Sequence, residues 1–359
     1  MIAIIADDFT GAAELAGISL RYGLKVSVCL HEVNTTDADV LIICTDSRSL
    51  NIEKAKKVTN NVVKNILQLQ PSFIYKKIDS VLRGHVIEEI KAQQQQTDLN
   101  KVLIVAANPS LGRTINNGEY FINEKRITET GFVSDPEFPI KSAFVKEIVD
   151  DSEVEVLKHA DALPQQGIVI AEAISSDDIK QWASAIDASW MLVGAGDFYT
   201  ALLDKNYKST PQENFQLQSP HLYICGTAFN ERKEFIKTLD SVSYLPDVIN
   251  EEWLNKTCNI IQQHNKLIIA IDESTNTALA LRTAMAKAAK EIIARGNVKE
   301  IFIEGGSTAA AVLQELNIKT LSPVNELQRG VVRMKANDLF ITVKPGSYQL
   351  PKEIKDLYS

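Results

Sequence analysis

Short runs of Ile, Val and Leu alternate with stretches whose apolar residues recur every three or four positions. The runs predict strands at Ile2–Ala6, Lys25–Leu30, Val40–Cys44, Phe73–Lys76 and Lys101–Ala106. The periodic stretches predict helices near Ala12–Tyr22, Ile52–Leu69 and Gly84–Gln96. Gly118–Ile127 reads as a small β-excursion turning at Asn123-Glu124, and Val133-Ser134-Asp135-Pro136 as a loop capping a helix that begins near Pro139. A strand at Ile168–Ala171, a helix from Asp177 to Ile186 and a strand at Trp190–Val193 follow. Asp204–Pro220 is polar and aperiodic, which marks a linker. The alternation then restarts, with strands at His221–Cys225, Leu267–Ile271 and Glu300–Ile303. Helices are expected at Asn230–Leu239, Glu252–His264, Thr277–Arg295 and Ser307–Leu316, and Val331–Val343 as a terminal hairpin. This order predicts two α/β domains, residues 1–210 and 218–359, each a mostly parallel sheet flanked by helices.

Composition narrows the class. At 359 residues the chain exceeds the usual single domain, and 45% hydrophobic against 23% charged residues suits large buried cores. The net charge of −8 argues against nucleic acid or anionic membrane as a partner, while leaving room for a local basic pocket. Met1–Ile5 runs straight into Asp7-Asp8, so no secretion signal is expected, and no run approaches the ~18 apolar residues that span a bilayer. Cys29, Cys44, Cys225 and Cys258 form no CxxC pair and read as buried free thiols of a cytoplasmic protein. The five histidines lack HExxH spacing, so no protein-built zinc site is expected.

A parallel sheet binds ligands at the carboxyl ends of its strands, so the loops there carry the chemistry. The first predicted strand leads into Asp7-Asp8-Phe9-Thr10-Gly11 and the third into Thr45-Asp46-Ser47-Arg48-Ser49. The fourth leads into Lys77-Ile78-Asp79-Ser80-Val81-Leu82-Arg83-Gly84, and the fifth into Asn108-Pro109-Ser110-Leu111-Gly112-Arg113-Thr114. One Asp or Ser in such a loop is often only a helix cap, but four polar loops together favour a site. Arg48, Arg83 and Arg113 suit a planar carboxylate, which a guanidinium grips with two parallel hydrogen bonds, and their shared charge has no evident structural use.

In the second half a strand runs into Gly305-Gly306-Ser307-Thr308 and an alanine-rich helix, an arrangement in which free backbone N–H groups meet a phosphate. The same residues also fit a plain tight turn with Ser307 as the helix cap. Cys225-Gly226-Thr227 and Lys344-Pro345-Gly346-Ser347 end two further strands. There is no GxxxxGK[ST] and no complete GxGxxG, so neither a P-loop nor a dinucleotide fold is expected.

Ala6-Asp7-Asp8-Phe9-Thr10-Gly11-Ala12 resembles the opening motif of the four-carbon acid sugar kinases, the family of 3-oxo-tetronate and threonate kinases. Thr45–Ser49 is similar to its second motif, Lys76–Gly84 to its third, and Asn108–Thr114 with Gly118 to its fourth. Gly226-Thr227, Gly305–Thr308 and Lys344-Pro345-Gly346 stand where that family has ATP-binding turns. The resemblance implies an N-terminal acid-sugar-binding domain and a C-terminal nucleotide-binding domain. ATP, with its Mg²⁺, would phosphorylate a terminal hydroxyl of a four-carbon sugar acid. Asp8, Asp46, Arg48, Asp79, Arg83 and Arg113 then fall on the substrate side, joined by Asp7, Ser47, Lys77, Gly84 and Thr114 of the same loops. Thr227, Gly305, Gly306, Ser307, Thr308 and Gly346 fall on the ATP side. Asp8 and Asp79 are the candidates for the carboxylate that takes the hydroxyl proton.

The chain departs from the family where Glu14-Leu15-Ala16-Gly17 replaces an Asp-Thr-Gly, at the turn after Gly226, and at Pro345 and Ser347-Tyr348. Two rivals stand beside this reading. Gly194–Leu203 looks like the anion-hole segment of ribokinase-like kinases, with Asp197 as base. A non-catalytic sugar-acid sensor, its C-terminal turns no longer holding ATP, is the other.

Overall fold

Ile2–Ala6 is buried along its whole length, as a strand covered on both faces must be, and in the computed structural model it is β1, an interior strand of a parallel sheet. The structure describes residues 1–359 except 34–36, 136, 212–214, 228–229, 273–275, 347 and 359. The chain divides into two units, Met1–Thr210 and Pro211–Ser359.

In the first unit β1 is followed by α1 (Phe9–Arg21), β2 (Val26–Leu30), β3 (Val40–Cys44), α2 (Ile52–Gln68), β4 (Phe73–Lys77), α3 (Val86–Gln94) and β5 (Lys101–Val105). A small antiparallel sheet comes next, β6 (Arg113–Asn116), β7 (Glu119–Ile122) and β8 (Lys125–Arg126). Then come α4 (Val145–Val149), β9 (Val154–Leu157), β10 (Gly167–Ala171), α5 (Ser176–Ala185), β11 (Trp190–Gly194) and α6 (Gly196–Asp204). The main sheet runs β2-β3-β1-β4-β11-β5-β10-β9, and every pairing in it is parallel. The four polar loops therefore leave one edge of a single sheet. Ala55, Thr59, Val62, Val63 and Ile66 form the buried stripe of α2, and Val62, Val63 and Ile66 pack against Ala3, Ile5, Leu41 and Ile43.

The helix expected near Pro139 does not form. Phe144 instead bridges Glu119 of β7, with Tyr120 N–H donating to Ala143 O (2.8 Å) and Val145 N–H to Gly118 O (2.9 Å). Those bonds keep the backbone extended to Phe144, and α4 covers only Val145–Val149.

The second unit contains β12 (His221–Cys225), α7 (Asn230–Lys237), β13 (Val242–Tyr244), α8 (Glu251–His264), β14 (Lys266–Ala270), α9 (Ala278–Arg295), β15 (Glu300–Glu304) and α10 (Gly306–Glu315). It closes with β16 (Thr320–Gln328), β17 (Val331–Ala336), β18 (Leu339–Lys344) and α11 (Lys352–Tyr358). Its sheet runs β13-β14-β12-β15-β18-β17-β16, parallel as far as β18 and antiparallel beyond. The expected hairpin exists as β17–β18 but is not terminal. It is extended by β16 on one side and followed by α11, whose Ile354 and Tyr358 are buried with Tyr223 and Phe302. Two buried residues in so short a helix are too few for a period to show in the sequence. The four cysteines are buried free thiols, and among the described residues no helix is long and apolar enough to cross a membrane.

Candidate active site

At the carboxyl edge of the first sheet, Arg48 reaches back from the loop after β3 to both aspartates after β1. Its Nε donates to Asp7 Oδ2 (2.8 Å) and its Nη2 to Asp7 Oδ1 (3.0 Å), a bidentate pair. Its Nη1 donates to Asp8 Oδ2 (2.9 Å) and lies 3.7 Å from Asp79 Oδ1. Asp8 also caps α1, accepting from Gly11 N–H (2.8 Å) and from the Thr10 hydroxyl (2.6 Å). The Thr45 hydroxyl donates to Ala6 O (2.9 Å) and pairs with buried Ser47 (2.8 Å), which ties the β3 loop to β1. Gly84 has φ +90°, and a Cβ there would come within 2.9 Å of Arg48 Cγ, so a side chain would crowd Arg48 out. Asp46 is exposed, on a left-handed backbone with φ 48°.

Arg83 repeats the arrangement one strand further on. Nε and Nη2 hold Asp79 at 2.8 and 2.9 Å, and Nη1 donates to Asp135 Oδ2 at 2.7 Å. Arg113 donates to the Ser80 hydroxyl, and the Phe132 ring lies 5.0 Å from the Arg83 guanidinium carbon and 5.9 Å from that of Arg113. The expectation that these arginines have no structural use is thus overturned, because Arg48 and Arg83 each hold a protein carboxylate with two donors. Asp135 and Phe132 were not among the expected site residues. They arrive from a 3₁₀ turn, Gly131–Ser134, and the residue after it, far from the motifs in sequence.

Lys77 also differs from expectation. Strand alternation sends its side chain inward, where Nζ donates to Ile78 O (2.9 Å) and lies 3.4 Å from Glu14 Oε2. Neighbouring Lys76 points to the opposite face and pairs with Glu89 in full burial. The two lysines therefore pin α1 and α3 to the two faces of the sheet. Thr114 lies half-buried on β6 opposite Phe121.

Electrostatics separates the three carboxyls. Burial raises Asp7 above its ordinary value despite Arg48. Burial also pushes Asp8 and Asp79 upward, but Arg48 and then Lys77 outweigh it at Asp8, and Arg48 and then Arg83 at Asp79, so both fall below the ordinary carboxylate value.

Asp197 is a fastener. Its Oδ2 accepts from Ser110 N–H (2.9 Å), its Oδ1 from the Ser110 hydroxyl (2.6 Å), and its own N–H donates to Asn108 Oδ1 (3.0 Å). Gly194 and Gly196 form the expected strand-to-helix turn for reasons of packing. A Cβ on Gly194 would overlap Val105 O, and one on Gly196 would sit 2.6 Å from Glu14 Oε1. Asp197, the base of the ribokinase-like alternative, thus has both oxygens engaged by Ser110.

In the second unit a cavity of about 320 Å³ opens at the carboxyl ends of β12, β14 and β15. Gly226, Thr227, Ser307 and Thr308 line one part, Ile271, Ala278, Leu281 and Met285 give it an apolar wall, and Lys233 and Arg282 add cations. A Cβ on Gly226 would overlap Thr308 Oγ1, and Gly305 has φ +108°, so both turns depend on glycine. The cap of α10 is Gly305 and not Ser307, which stands inside the first helical turn. Gly346 is described and Ser347 lies outside the described residues. Among the described residues no three His, Cys, Asp or Glu side chains assemble as metal ligands.

Residues 2–202 match the model of the sugar-binding N-terminal domain, and residues 252–348 that of the nucleotide-binding C-terminal domain. The chain is 26% identical to a D-threonate kinase of Salmonella typhimurium, over 96% of this chain and 94% of that one. It is 22% identical to a 3-oxo-tetronate kinase of Haemophilus influenzae, over 97% of each. A crystal structure of the Haemophilus influenzae protein HI1011, of the DUF1537 family, matches with a TM-score of 0.79 at 18% identity, over 99% of this chain and 98% of that one, and shows the same fold. With both domain models in order and one spanning more than half of its length, the chain belongs to the four-carbon acid sugar kinase family.

Proposed function

We propose that the protein transfers the terminal phosphoryl group of ATP to a hydroxyl of a four-carbon sugar acid of the threonate, erythronate or 3-oxo-tetronate type. The observation that carries this reading is the cavity of the second unit. Its glycine-dependent turns and apolar wall were assembled by the fold from three separated segments, and they suit a phosphate chain and a base. Thr227, Ser307, Thr308 and the backbone of Gly305 and Gly306 would hold the phosphates, with Gly346 nearby in sequence to the same strand ends. Mg²⁺ would travel with ATP and keep most of its waters. Bound there, the ion would neutralise charge on the transferring group.

The acid belongs at the arginine rim of the first unit. Inner carboxylates lock the Nε and Nη2 edge of Arg48 and Arg83, which fixes each guanidinium plane before a ligand arrives. Of the two candidate bases, Asp8 is favoured. Both oxygens of each are hydrogen-bonded, Asp79 by Arg83 and Asp8 by Gly11, Thr10 and Arg48, but the Asp8 side chain is 19% exposed against 8% for Asp79. A carboxylate held below its ordinary value is ionised at neutral pH and free of a proton to begin with. Asp7, Asp46, Ser47, Gly84, Arg113 and Thr114 complete the proposed acid side, and Lys77 serves it from behind through Glu14 and Ile78. A kinase drawing on ATP in this way works in the cytoplasm.

The test is ADP release with Mg²⁺ and ATP over a panel of four-carbon acids, together with calorimetry of each ligand alone. Turnover with at least one acid is expected. Binding of an acid without binding of ATP would instead establish a sensor.

A further inference from the structure

The last residues of three neighbouring strands stand in register at the carboxyl edge of the second sheet: Cys225 of β12, Glu304 of β15 and Lys344 of β18. Each is followed at once by one of the glycine turns, Gly226-Thr227, Gly305-Gly306 and Pro345-Gly346. The backbone links them in series, with Gly226 N–H donating to Glu304 O (3.0 Å) and Gly305 N–H to Lys344 O (2.9 Å).

The side chains of Glu304 and Lys344 lie beneath these turns and neither is exposed at all. Lys344 Nζ is 2.9 Å from Glu304 Oε1. The same ammonium is within hydrogen-bond reach of Pro345 O (2.7 Å), Gly346 O (3.3 Å) and Tyr348 O (2.6 Å). The other carboxylate oxygen accepts from Arg232 Nε (2.9 Å) and from the Tyr223 hydroxyl. Glu304 thus holds one turn by its backbone carbonyl, while its carboxylate lies against the Lys344 ammonium that gathers the carbonyls of another.

A buried ion pair is a poor way to gain stability, since desolvation offsets most of the attraction and apolar residues of similar size often do as well. A fixed charge with several directed donors is a good way to set a loop's geometry. We infer that the Glu304–Lys344 pair is a positioning device for the nucleotide, holding the Pro345-Gly346 turn against the backbone-linked Gly226 and Gly305 turns in the spacing that a phosphate chain needs. Neither residue touches the nucleotide in this scheme. The inference rests on the reading of the second unit as the ATP site.

The experiment is calorimetry of Mg²⁺-ATP binding on the whole chain, with melting curves and steady-state kinetics on the same preparations. The double variant Glu304→Gln/Lys344→Met removes both charges while keeping volume. It should melt close to the unsubstituted protein, yet bind ATP at least tenfold more weakly, with the KM for the acid changed less than twofold. A folded double variant with unchanged ATP affinity would reduce the pair to packing. Should the double variant fail to fold, Glu304→Gln alone, which keeps a carbonyl acceptor for Tyr223 and Arg232, should still raise the Kd for ATP about threefold or more, and an unchanged Kd overturns the inference. Failure of the unsubstituted protein to bind ATP would sink the underlying reading instead, so the two outcomes are separable.

Discussion

Side-chain charge builds the site of the first unit, and backbone conformation builds that of the second. At the first rim Arg48 and Arg83 are each clasped by an aspartate on one edge and touched by another on the next, and those contacts hold the loops in place. At the second, Gly226 and Gly305 create the space, and the groups that line it are mostly hydroxyls and aliphatic side chains. The difference suits the proposed ligands. A small acid with several hydroxyls offers little surface, so recognition must come from directed charged hydrogen bonds. A nucleotide offers a large flat base and a phosphate chain, for which an apolar wall and free N–H groups suffice. Substitutions at the first site should therefore act through charge, and those at the second through shape.

The largest effect is expected at Asp8. Asp8→Asn keeps an oxygen for the α1 cap but cannot take a proton, so kcat should fall roughly 10²- to 10⁴-fold. Binding of ATP should be unchanged by calorimetry. If kcat survives in Asp8→Asn and collapses in Asp79→Asn, the two aspartates exchange roles.

Arg83→Ala comes next. It removes a guanidinium that the proposed reading places beside the acid, and leaves Asp79 and Asp135 without their cation. A loss on the order of 2–5 kcal/mol is expected, or roughly a hundredfold or more in kcat/KM for the acid. Arg83→Lys should restore only part of it, because a point charge does not reproduce the planar fork. The comparison to make is kcat/KM for the acid against Kd for ATP, in protein shown to be folded by melting. Loss of ATP affinity with intact use of the acid would reverse the assignment of the two units.

The corresponding test of shape is Gly226→Ala. The added methyl meets Thr308 at the start of α10 and displaces one wall of the cavity. The KM for ATP should rise roughly tenfold, in the range that misplacement by a fraction of an ångström produces, while the KM for the acid stays within about twofold. Equal damage to both constants would show that the two sites are not independent.

What could be read from sequence divides along similar lines. Strands buried on both faces show as unbroken apolar runs, so β1, β3, β5, β12 and β15 were found within a residue or so of their ends. The loops after them were legible because Asp, Arg, Gly and Thr concentrate there. The partners of the arginines were not. Asp135 and Phe132 sit in an irregular segment with no period, and only the folded chain brings them to Arg83. The buried partner of Lys77 was not legible either, because a lysine at a strand end is usually solvated, whereas here Glu14 on α1 meets it in the interior. The helix expected near Pro139 failed for a tertiary reason, the bridge from Phe144 to β7, which local propensity does not register.

The smallest effect is expected at Asp197, and it separates two views of the first unit. Both of its oxygens accept hydrogen bonds from Ser110, so the residue fastens the loop that carries Arg113 to the start of α6. It also places negative charge in the first turn of that helix, which suits the helix dipole. Asp197→Asn keeps the size and one acceptor oxygen. The expected cost is about 1 kcal/mol of stability, that of a weakened cap, read as a drop of a few degrees in Tm. Because Arg113 is shifted only slightly, kcat/KM for the acid should fall less than about threefold, equivalent to some 0.6 kcal/mol. A general base would behave otherwise, since its amide loses the whole contribution of proton transfer, roughly 10²-fold at the least. A drop of that size at Asp197, with Asp8→Asn still active, would restore the ribokinase-like chemistry and leave the arginine rim a purely structural network.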